Sequence, residues 1–286
     1  MQRLLIVGSG DVARRAACWL TRHFRVFALT RRLEAAERWR ALGVCPVAGD
    51  LDDRASLARL AGLAEAVLHL APPPGAGQCD TRTRHLLSVL SRGRSLPRRL
   101  VYVSTTGVYG DCGGDWIDET RPRRPISSRA RRRLDAEQCL RRWGAQNQRE
   151  VILLRAPGIY AADRLPRTRL LSGLPALTAA EDVYSNHIHA DDLARACCRA
   201  LFYGGAGRSF NVVDMSRMLM GEWFDLVADH LELPRPARLD RQALQQQLTP
   251  AQYSFMLESR RIKNDRLCRE LRLRLRYPTP SFGLAH

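Results

Sequence analysis

Short apolar runs alternate with amphipathic stretches along the first 157 residues of the chain. The apolar runs end at turn-forming residues, and the stretches between them repeat apolar residues at helical spacing. This alternation is typical of a parallel sheet whose faces are covered by helices, so we predict a doubly wound α/β fold. The predicted strands are residues 4–7, 25–29, 44–47, 66–70, 100–104 and 151–155, and the predicted helices are 11–23, 33–42, 54–60, 81–91 and 128–143.

The regular alternation stops at Pro157. A helix is predicted over residues 191–202 with Asp191 as its N-cap, because an Asp before an apolar-periodic stretch is a common helix start. A strand predicted over residues 209–213 is expected to return to the sheet. We predict that residues 1–157 form one domain and that residues 158–286 form mainly a smaller lobe.

A glycine-containing turn follows the first predicted strand. In this turn Gly8, Gly10 and Ala13 occupy the small positions of G-x-G-x-x-G/A. Gly8 permits the tight turn, Gly10 lets the backbone approach a pyrophosphate, and Ala13 permits close helix packing. Asp11 and Val12 complete the helix start, whose N-terminus favours negative charge. The motif predicts that the first domain is of the Rossmann type and binds a dinucleotide, which leaves the lobe to bind a substrate.

Further segments resemble one family, the extended and atypical short-chain dehydrogenase/reductases, in the NAD-dependent epimerase/dehydratase group of nucleotide-sugar enzymes. The tail at 271–284, LRLRLRYPTPSFGL, is similar to a bacterial branch of nucleoside-diphosphate-sugar epimerase-like proteins. The other segments that carry the resemblance are VAGDLDD (47–53), VLHLAPP (67–73), VYVSTTGVYGD (101–111), LLRAPGIY (153–160) and NHIHADDLARA (186–196).

The resemblance implies a set of residues around a nicotinamide cofactor. Asp50 and Leu51 would hold the adenine, although Asp50 could instead cap a helix. Ala71 would follow the strand beside the nicotinamide ribose, and Pro157 would lie near the nicotinamide ring. Two neighbours of these positions are also predicted to contact the cofactor, Pro72 and Ser104.

The resemblance also implies catalytic and substrate positions. Thr105 matches the family's catalytic Ser/Thr, and Tyr109 is the tyrosine of its VYG motif. Thr106 and His189 would face the substrate, with a structural role for His189 as the alternative. The proton donor is left open between Tyr109, Thr105 acting through a water, and His189, whose ordinary pKa suits proton transfer.

Cofactor type depends on the residues after the second predicted strand. An acid there would accept hydrogen bonds from a ribose 2′-hydroxyl, whereas arginine accommodates a 2′-phosphate. The sequence has Arg31 and Arg32 and no acid at this point. We therefore predict NADP in preference to NAD.

The family's Tyr-x-x-x-Lys pair is missing from the predicted helix at 128–143. The resemblance aligns Arg129 with the tyrosine and Arg133 with the lysine. Arginine does not lose its proton in a protein, so Arg129 cannot serve as the acid. Arg133 can still contact ribose hydroxyls or phosphate. The only lysine of the chain, Lys263, lies far from this helix.

The charge of the chain is strongly positive, with 46 Lys+Arg against 29 Asp+Glu and a formal net charge of +17. Such a charge can indicate nucleic-acid binding. However, the arginines are spread along the chain and lack the interleaved aromatic residues of a single-strand binding surface. We therefore favour a general replacement of lysine by arginine and expect no nucleic-acid or membrane partner.

The 8 cysteines form no CxxC pair, and no metal site is predicted. No apolar run is long enough for a signal peptide or a membrane span, so a soluble cytoplasmic protein is expected. The sequence thus predicts an NAD(P)-dependent oxidoreductase or epimerase/dehydratase that acts on a nucleotide-sugar or similar polar substrate. A homodimer is compatible with this prediction. The alternative is a catalytically weak NADP(H)-binding sensor or scaffold.

Overall fold

A computed structural model describes residues 1–31 and 33–285 of the chain. Its longer strands and helices alternate up to residue 156, and shorter elements follow. In chain order the elements are β1 (Arg3–Val7), α1 (Asp11–His23), β2 (Arg25–Thr30), α2 (Leu33–Ala41), β3 (Cys45–Ala48), β4 (Ala66–His69), α3 (Thr81–Leu90), β5 (Arg99–Thr105), β6 (Trp116–Ile117), α4 (Ser128–Asn147), β7 (Glu150–Ala156), β8 (Gly158–Tyr160), α5 (Arg167–Leu171), β9 (Ala176–Leu177), β10 (His187–His189), α6 (Ala190–Ala200), β11 (Ser209–Asn211), α7 (Met220–His230), β12 (Arg238–Leu239), α8 (Arg241–Gln247), α9 (Pro250–Tyr253), β13 (Arg261–Ile262), α10 (Asp265–Glu270) and α11 (Pro280–Ala285).

Seven parallel strands form the central sheet in the order β3-β2-β1-β4-β5-β7-β11. The chain runs outward from β1 to β3 and then returns to the other side of β1 with β4. This reversal opens a crevice beyond the carboxyl ends of β1 and β4, where doubly wound sheets bind their ligands. The predicted α/β fold is confirmed, and the segment predicted at 209–213 forms β11 at the edge of the sheet.

Successive side chains of each strand point to opposite faces of the sheet. On β1, Leu4 and Ile6 lie in the core beneath α1 and α6, whereas Leu5 and Val7 lie in the core beneath α3 and α4. All four are fully buried. Burial on both faces explains why the strands are continuous apolar runs in the sequence.

One local prediction is confirmed in a tighter form, and one is wrong. The helix predicted at 54–60 is a 3₁₀ helix over Ala55–Leu60. The helix predicted at 191–202 begins at Ala190 and is capped by His189, whose Nδ1 accepts a hydrogen bond from the backbone N–H of Asp191 at 3.2 Å. Asp191 lies in the first helical turn instead, where its carboxylate binds Arg15 at 2.8 Å.

The chain after residue 157 contributes to two cores. A separate apolar cluster surrounds Trp223, Phe224 and Val227 of α7. Three leucines near the C-terminus, Leu267, Leu271 and Leu273, pack instead in the core of the central sheet. The hydrophobic cores therefore do not divide at residue 157. No helix among the described residues is long and apolar enough to cross a membrane.

Candidate functional site

The turn between β1 and α1 approaches the end of β4 closely. Gly8 has a φ of +97°, and a Cβ at this position would lie 2.3 Å from the backbone nitrogen of Ala71. The fold itself therefore requires glycine here. A Cβ at Gly10 would meet nothing within 4 Å. Gly10 keeps open a space in front of the N-terminus of α1, where no side chain caps the helix.

A cleft of about 460 Å³ lies over this turn and the crevice of the sheet. It brings together most of the residues predicted to bind the cofactor. Arg82, Ile159 and Arg164 also line it, although the sequence analysis did not identify them. The predicted residues that line it are Gly8, Gly10, Asp11, Val12, Ala13, Arg31, Asp50, Leu51, Ala71 and Pro72.

One end of this cleft carries paired charges. The Nη1 of Arg31 lies 3.8 Å from Oδ2 of Asp50, and the Arg31 side chain is 60% exposed. Arg82 binds the carboxylate of Asp52 through two nitrogens, at 2.7 and 2.6 Å. These hydrogen bonds hold the pKa of Asp52 below its usual value. The remaining predicted residue of this end, Arg32, lies outside the described residues.

Asp11 stands at the start of α1, beside the space at Gly10. Its Oδ2 accepts hydrogen bonds from Arg15 at 2.9 Å and from Arg164 at 3.0 Å. Burial alone would raise the pKa of Asp11, but these two guanidinium groups lower it on balance. The negative charge of Asp11 is therefore balanced by these two arginines, and the N-terminal end of α1 does not repel an anion.

These features fit a bound dinucleotide phosphate. Phosphate oxygens are bound by donors of the kind found here, the backbone N–H groups at the start of α1 and the guanidinium of Arg31. The unfilled space at Gly10 leaves room for the phosphate beside them. The described residues of the cleft therefore suit the diphosphate of a nicotinamide dinucleotide, which would lie over Gly10.

Arg133 of α4 joins the ends of two strands. Its Nη1 donates hydrogen bonds to the carbonyls of Ala71 at 3.3 Å and Val103 at 2.8 Å, and to the hydroxyl of Tyr102 at 3.0 Å. Among the described residues, Nε and Nη2 of this guanidinium have no hydrogen-bond partner. Arg133 therefore lies half-buried at the carboxyl ends of β4 and β5, and it is not among the residues that line the first cleft.

A second cleft, of about 210 Å³, lies between β5, α4 and the C-terminal half of the chain. The two clefts are adjacent, because Gly158 lines the second and the next residue, Ile159, lines the first. Thr105 lies here and accepts a hydrogen bond from the backbone N–H of Gly107 at 3.2 Å. Thr106 and Pro157, two other predicted site residues, also line it.

Guanidinium groups dominate the charge of the second cleft. Arg129 and Arg260 both line it, together with one acid, Glu258. Arg260 donates to Glu258 at 2.7 Å and to the carbonyl of Gly110 at 2.8 Å. Sequence reasoning missed Glu258, Arg260 and Tyr184, because they come from distant segments without a motif.

Tyr109 lies outside both clefts and is 1% exposed. Its hydroxyl donates to Asn211 at 2.7 Å and accepts from Arg155 at 2.8 Å. Burial raises the pKa of Tyr109 to about 12, although Arg155 opposes the shift. This placement disfavours Tyr109 among the three candidate proton donors, because its hydroxyl already makes two hydrogen bonds within the core.

Ser104 and His189 are also buried away from the clefts. Ser104 is 3% exposed, and its hydroxyl has no partner among the described residues. His189 caps α6 and packs against Tyr277, with ring centroids 3.7 Å apart. Burial lowers the pKa of His189, against the opposing effect of Asp191. The structural alternative for His189 is therefore favoured over a substrate role.

Comparison with known proteins identifies one family. The model of the family described as "NAD dependent epimerase/dehydratase family" matches residues 13–213. A functionally unknown conserved protein from Silicibacter pomeroyi is 27% identical, with a TM-score of 0.78 over 99% of this chain and 97% of the other. No curated protein matches the chain.

Two solved epimerases share the fold. The UDP-glucose 4-epimerase of Thermotoga maritima, solved with UDP-glucose, is 16% identical, with a TM-score of 0.78 over 99% of this chain and 96% of the other. The UDP-glucuronic acid 4-epimerase of Bacillus cereus, solved with NAD, is 15% identical, with a TM-score of 0.76 over the same shares. At these identities the likeness concerns the fold alone.

Proposed function

The chain belongs to the NAD-dependent epimerase/dehydratase family, and from this premise we propose that it binds NADP(H) in the first cleft and acts on a nucleotide-sugar or similar polar substrate in the second. The observation that carries the proposal is the open space at Gly10, which the protein's own packing does not need. That space faces the N-terminus of α1, where a diphosphate is favoured.

The preference for NADP(H) over NAD(H) is supported by Arg31. This side chain lies at the end of β2 and lines the first cleft with its guanidinium largely exposed. The carboxylate of Asp50 lies 3.8 Å from it, longer than a close ion pair. A 2′-phosphate would pair with this guanidinium more closely than Asp50 does.

The substrate would lie next to Thr105 in the second cleft. A nicotinamide cofactor, when bound, accepts or donates a hydride. The Thr105 oxygen already accepts from Gly107, so its own O–H is free to donate to a substrate oxygen. Arg133, at the ends of β4 and β5, would hold ribose hydroxyls with the nitrogens that its carbonyl contacts do not use.

One observation favours a second candidate function, an NADP(H)-binding sensor with little turnover. Arg129 occupies the wall of the second cleft where the family resemblance places a proton-donating tyrosine, and arginine cannot give up its proton. A sensor of this kind would bind NADPH but would show no absorbance change at 340 nm with any of a panel of nucleotide sugars.

Calorimetric titration with NADPH and NADH tests the cofactor assignment. We expect NADPH to bind more tightly than NADH, because only NADPH carries the 2′-phosphate. Arg31→Gln should weaken NADPH binding by about 10-fold or more, as expected for the loss of one charge-assisted contact, and should leave NADH binding unchanged.

Arg22→Gln is the matched control, because Arg22 is exposed near the C-terminal end of α1 and does not line the cleft. It should change neither dissociation constant. Tighter binding of NADH, or an equal loss of NADPH affinity in both variants, would refute the role of Arg31.

A further inference from the structure

Arg129 occupies an unusual position for a cation. It lies in the first turn of α4, where the positive end of the helix dipole disfavours a guanidinium. Its Nη1 donates to the hydroxyl of Ser254 at 3.1 Å, and its Cζ lies 3.7 Å from the centre of the Phe255 ring. These contacts hold the side chain across the second cleft, against the C-terminal half of the chain.

The charge of Arg129 lacks a close counterion. No carboxylate among the described residues lies within 4.0 Å of its guanidinium, although the side chain is partly buried. Burial lowers the pKa of Arg129, while the more distant Glu258 opposes the shift. Ser254 and Phe255 contact this guanidinium but carry no negative charge. A partly buried charge without a counterion costs stability, and an anion bound in the cleft would offset that cost.

Arg260 adds a second guanidinium to the same wall. This residue is only 9% exposed, and its Nε is buried without a hydrogen-bond partner among the described residues. Glu258 neutralises one of the two guanidinium groups through its contact with Arg260. The charged groups that line the cleft thus leave one net positive charge.

We infer that the second cleft binds a carboxylate on the sugar of its substrate, with Arg129 as the principal partner and Arg260 beside it. The inference rests on the proposed function, in that it takes this cleft as the substrate site. A cleft of about 210 Å³ suits one sugar ring better than a nucleotide. A carboxylate carries the single negative charge that balances the site, whereas a phosphate monoester carries nearly two.

Two nucleotide sugars that differ only at C6 of the sugar provide the test. UDP-glucuronate carries a carboxylate where UDP-glucose carries a hydroxymethyl group. In calorimetric titrations of the NADPH-loaded protein, we expect UDP-glucuronate to bind at least about 10-fold more tightly. Arg129→Gln should remove this difference by weakening UDP-glucuronate alone, and Arg129→Lys should retain part of it.

Arg131→Gln is the control, because Arg131 is an exposed arginine of the same helix that does not line the cleft. It should preserve the preference for UDP-glucuronate. Equal affinity of the wild-type protein for both UDP-sugars would overturn the inference. So would a preference that survives Arg129→Gln.

A third probe, free glucuronate, separates this inference from the proposed function. If neither UDP-sugar binds but glucuronate binds with a dependence on Arg129, the nucleotide-sugar substrate is wrong and the carboxylate site stands. If no probe binds while NADPH does, the carboxylate site is wrong and the cofactor assignment stands. If NADPH does not bind, the proposed function fails, and titration of the unloaded protein with glucuronate still decides the carboxylate site.

Discussion

Tyr109 illustrates how one residue can satisfy a sequence motif and still serve the core. Its hydroxyl lies between Asn211 of β11 and Arg155 of β7. Arg155 also forms two hydrogen bonds with the carboxylate of Glu137, at 3.0 and 2.8 Å. All of these side chains are buried. The tyrosine therefore completes a buried polar network that fixes α4 against the sheet.

Replacing Tyr109 and Thr105 one at a time should distinguish a residue needed for stability from one needed for turnover. Tyr109→Phe leaves Arg155 and Asn211 each without one partner, so it should lower the free energy of unfolding by about 1–3 kcal/mol, measured by urea denaturation. It should leave NADPH affinity unchanged. Thr105→Val loses a half-buried hydroxyl of the second cleft, together with its hydrogen bond from Gly107, and should lower turnover by about 10² where turnover is detected.

The reverse result would restore Tyr109 as a candidate acid. A Tyr109→Phe variant with unchanged urea midpoint and a turnover reduced about 10² would be incompatible with the buried network. Tyr253→Phe is a suitable comparison. Tyr253 is a partly buried tyrosine that packs against the apolar cluster around Trp223 and Phe224, and it lines neither cleft.

At the scale of elements, the turn between β1 and α1 contains two glycines with different tasks. Gly8 has a positive φ and lies against the backbone of Ala71, so it is needed to build the turn. Gly10 has an ordinary φ of −86° and no neighbour within 4 Å of a built Cβ. Packing within the protein therefore does not require glycine at this position, which supports the proposed diphosphate site.

Alanine at each position should therefore give a different defect. Gly8→Ala places a methyl group 2.3 Å from a backbone nitrogen at a strained φ, so we expect a loss of several kcal/mol of stability, on the order of 3, or an insoluble protein. Gly10→Ala should retain the melting temperature of the ligand-free protein and weaken NADPH binding by about 10-fold or more.

Thermal melts with and without NADPH measure both effects together. Gly93→Ala is not a suitable control, because a Cβ at Gly93 would lie 2.5 Å from the backbone nitrogen of Gly62. A Cβ at Gly75 would meet nothing within 4 Å, and Gly75 lines neither cleft, so it serves better. Unchanged NADPH affinity in Gly10→Ala would remove the main support for a diphosphate at this helix.

The elements near the N-terminus could be predicted from the sequence because each carries a local signal. The apolar run of β1 and the glycine turn locate the crevice without any tertiary information. His189 as a cap could not be predicted, because its ring is selected by packing against Tyr277, a residue distant in sequence. Arg260 joins the second cleft for the same reason, through hydrogen bonds to Gly110 and Glu258.

At the scale of the whole molecule, many arginines connect distant segments. Arg99 of β5 donates to the carbonyls of Ala200, Tyr203 and Gly204, at the end of α6 and just after it. Arg199 of α6 donates to the carbonyl of Leu271 at 2.9 Å. The five donors of a guanidinium suit such multiple contacts better than the single ammonium of lysine. Some of the arginines that produce the net charge of +17 therefore serve as hydrogen-bond donors between segments of the chain.

These connections accompany a core that the two halves of the sequence share. On one face of the sheet, the core residues include Ile188 and Leu193 near α6, Phe210 of β11, and Leu267 and Leu271 near the C-terminus. All five are fully buried. Each such side chain contributes about 1.5–3 kcal/mol on burial, and a domain is stable by only about 5–15 kcal/mol.

A fragment of residues 1–157 should therefore not fold by itself, although the strand and helix pattern is regular up to that point. It keeps α1 but lacks β11, α6 and the C-terminal leucines that cover the rest of this face, so β7 becomes an exposed edge. We expect the fragment to aggregate, or to unfold without a cooperative transition in urea. A fragment of residues 1–279 keeps these residues and lacks only α11, so it should unfold cooperatively. If residues 1–157 give a cooperative transition and bind NADPH, the shared core is dispensable and the sheet is an independent domain.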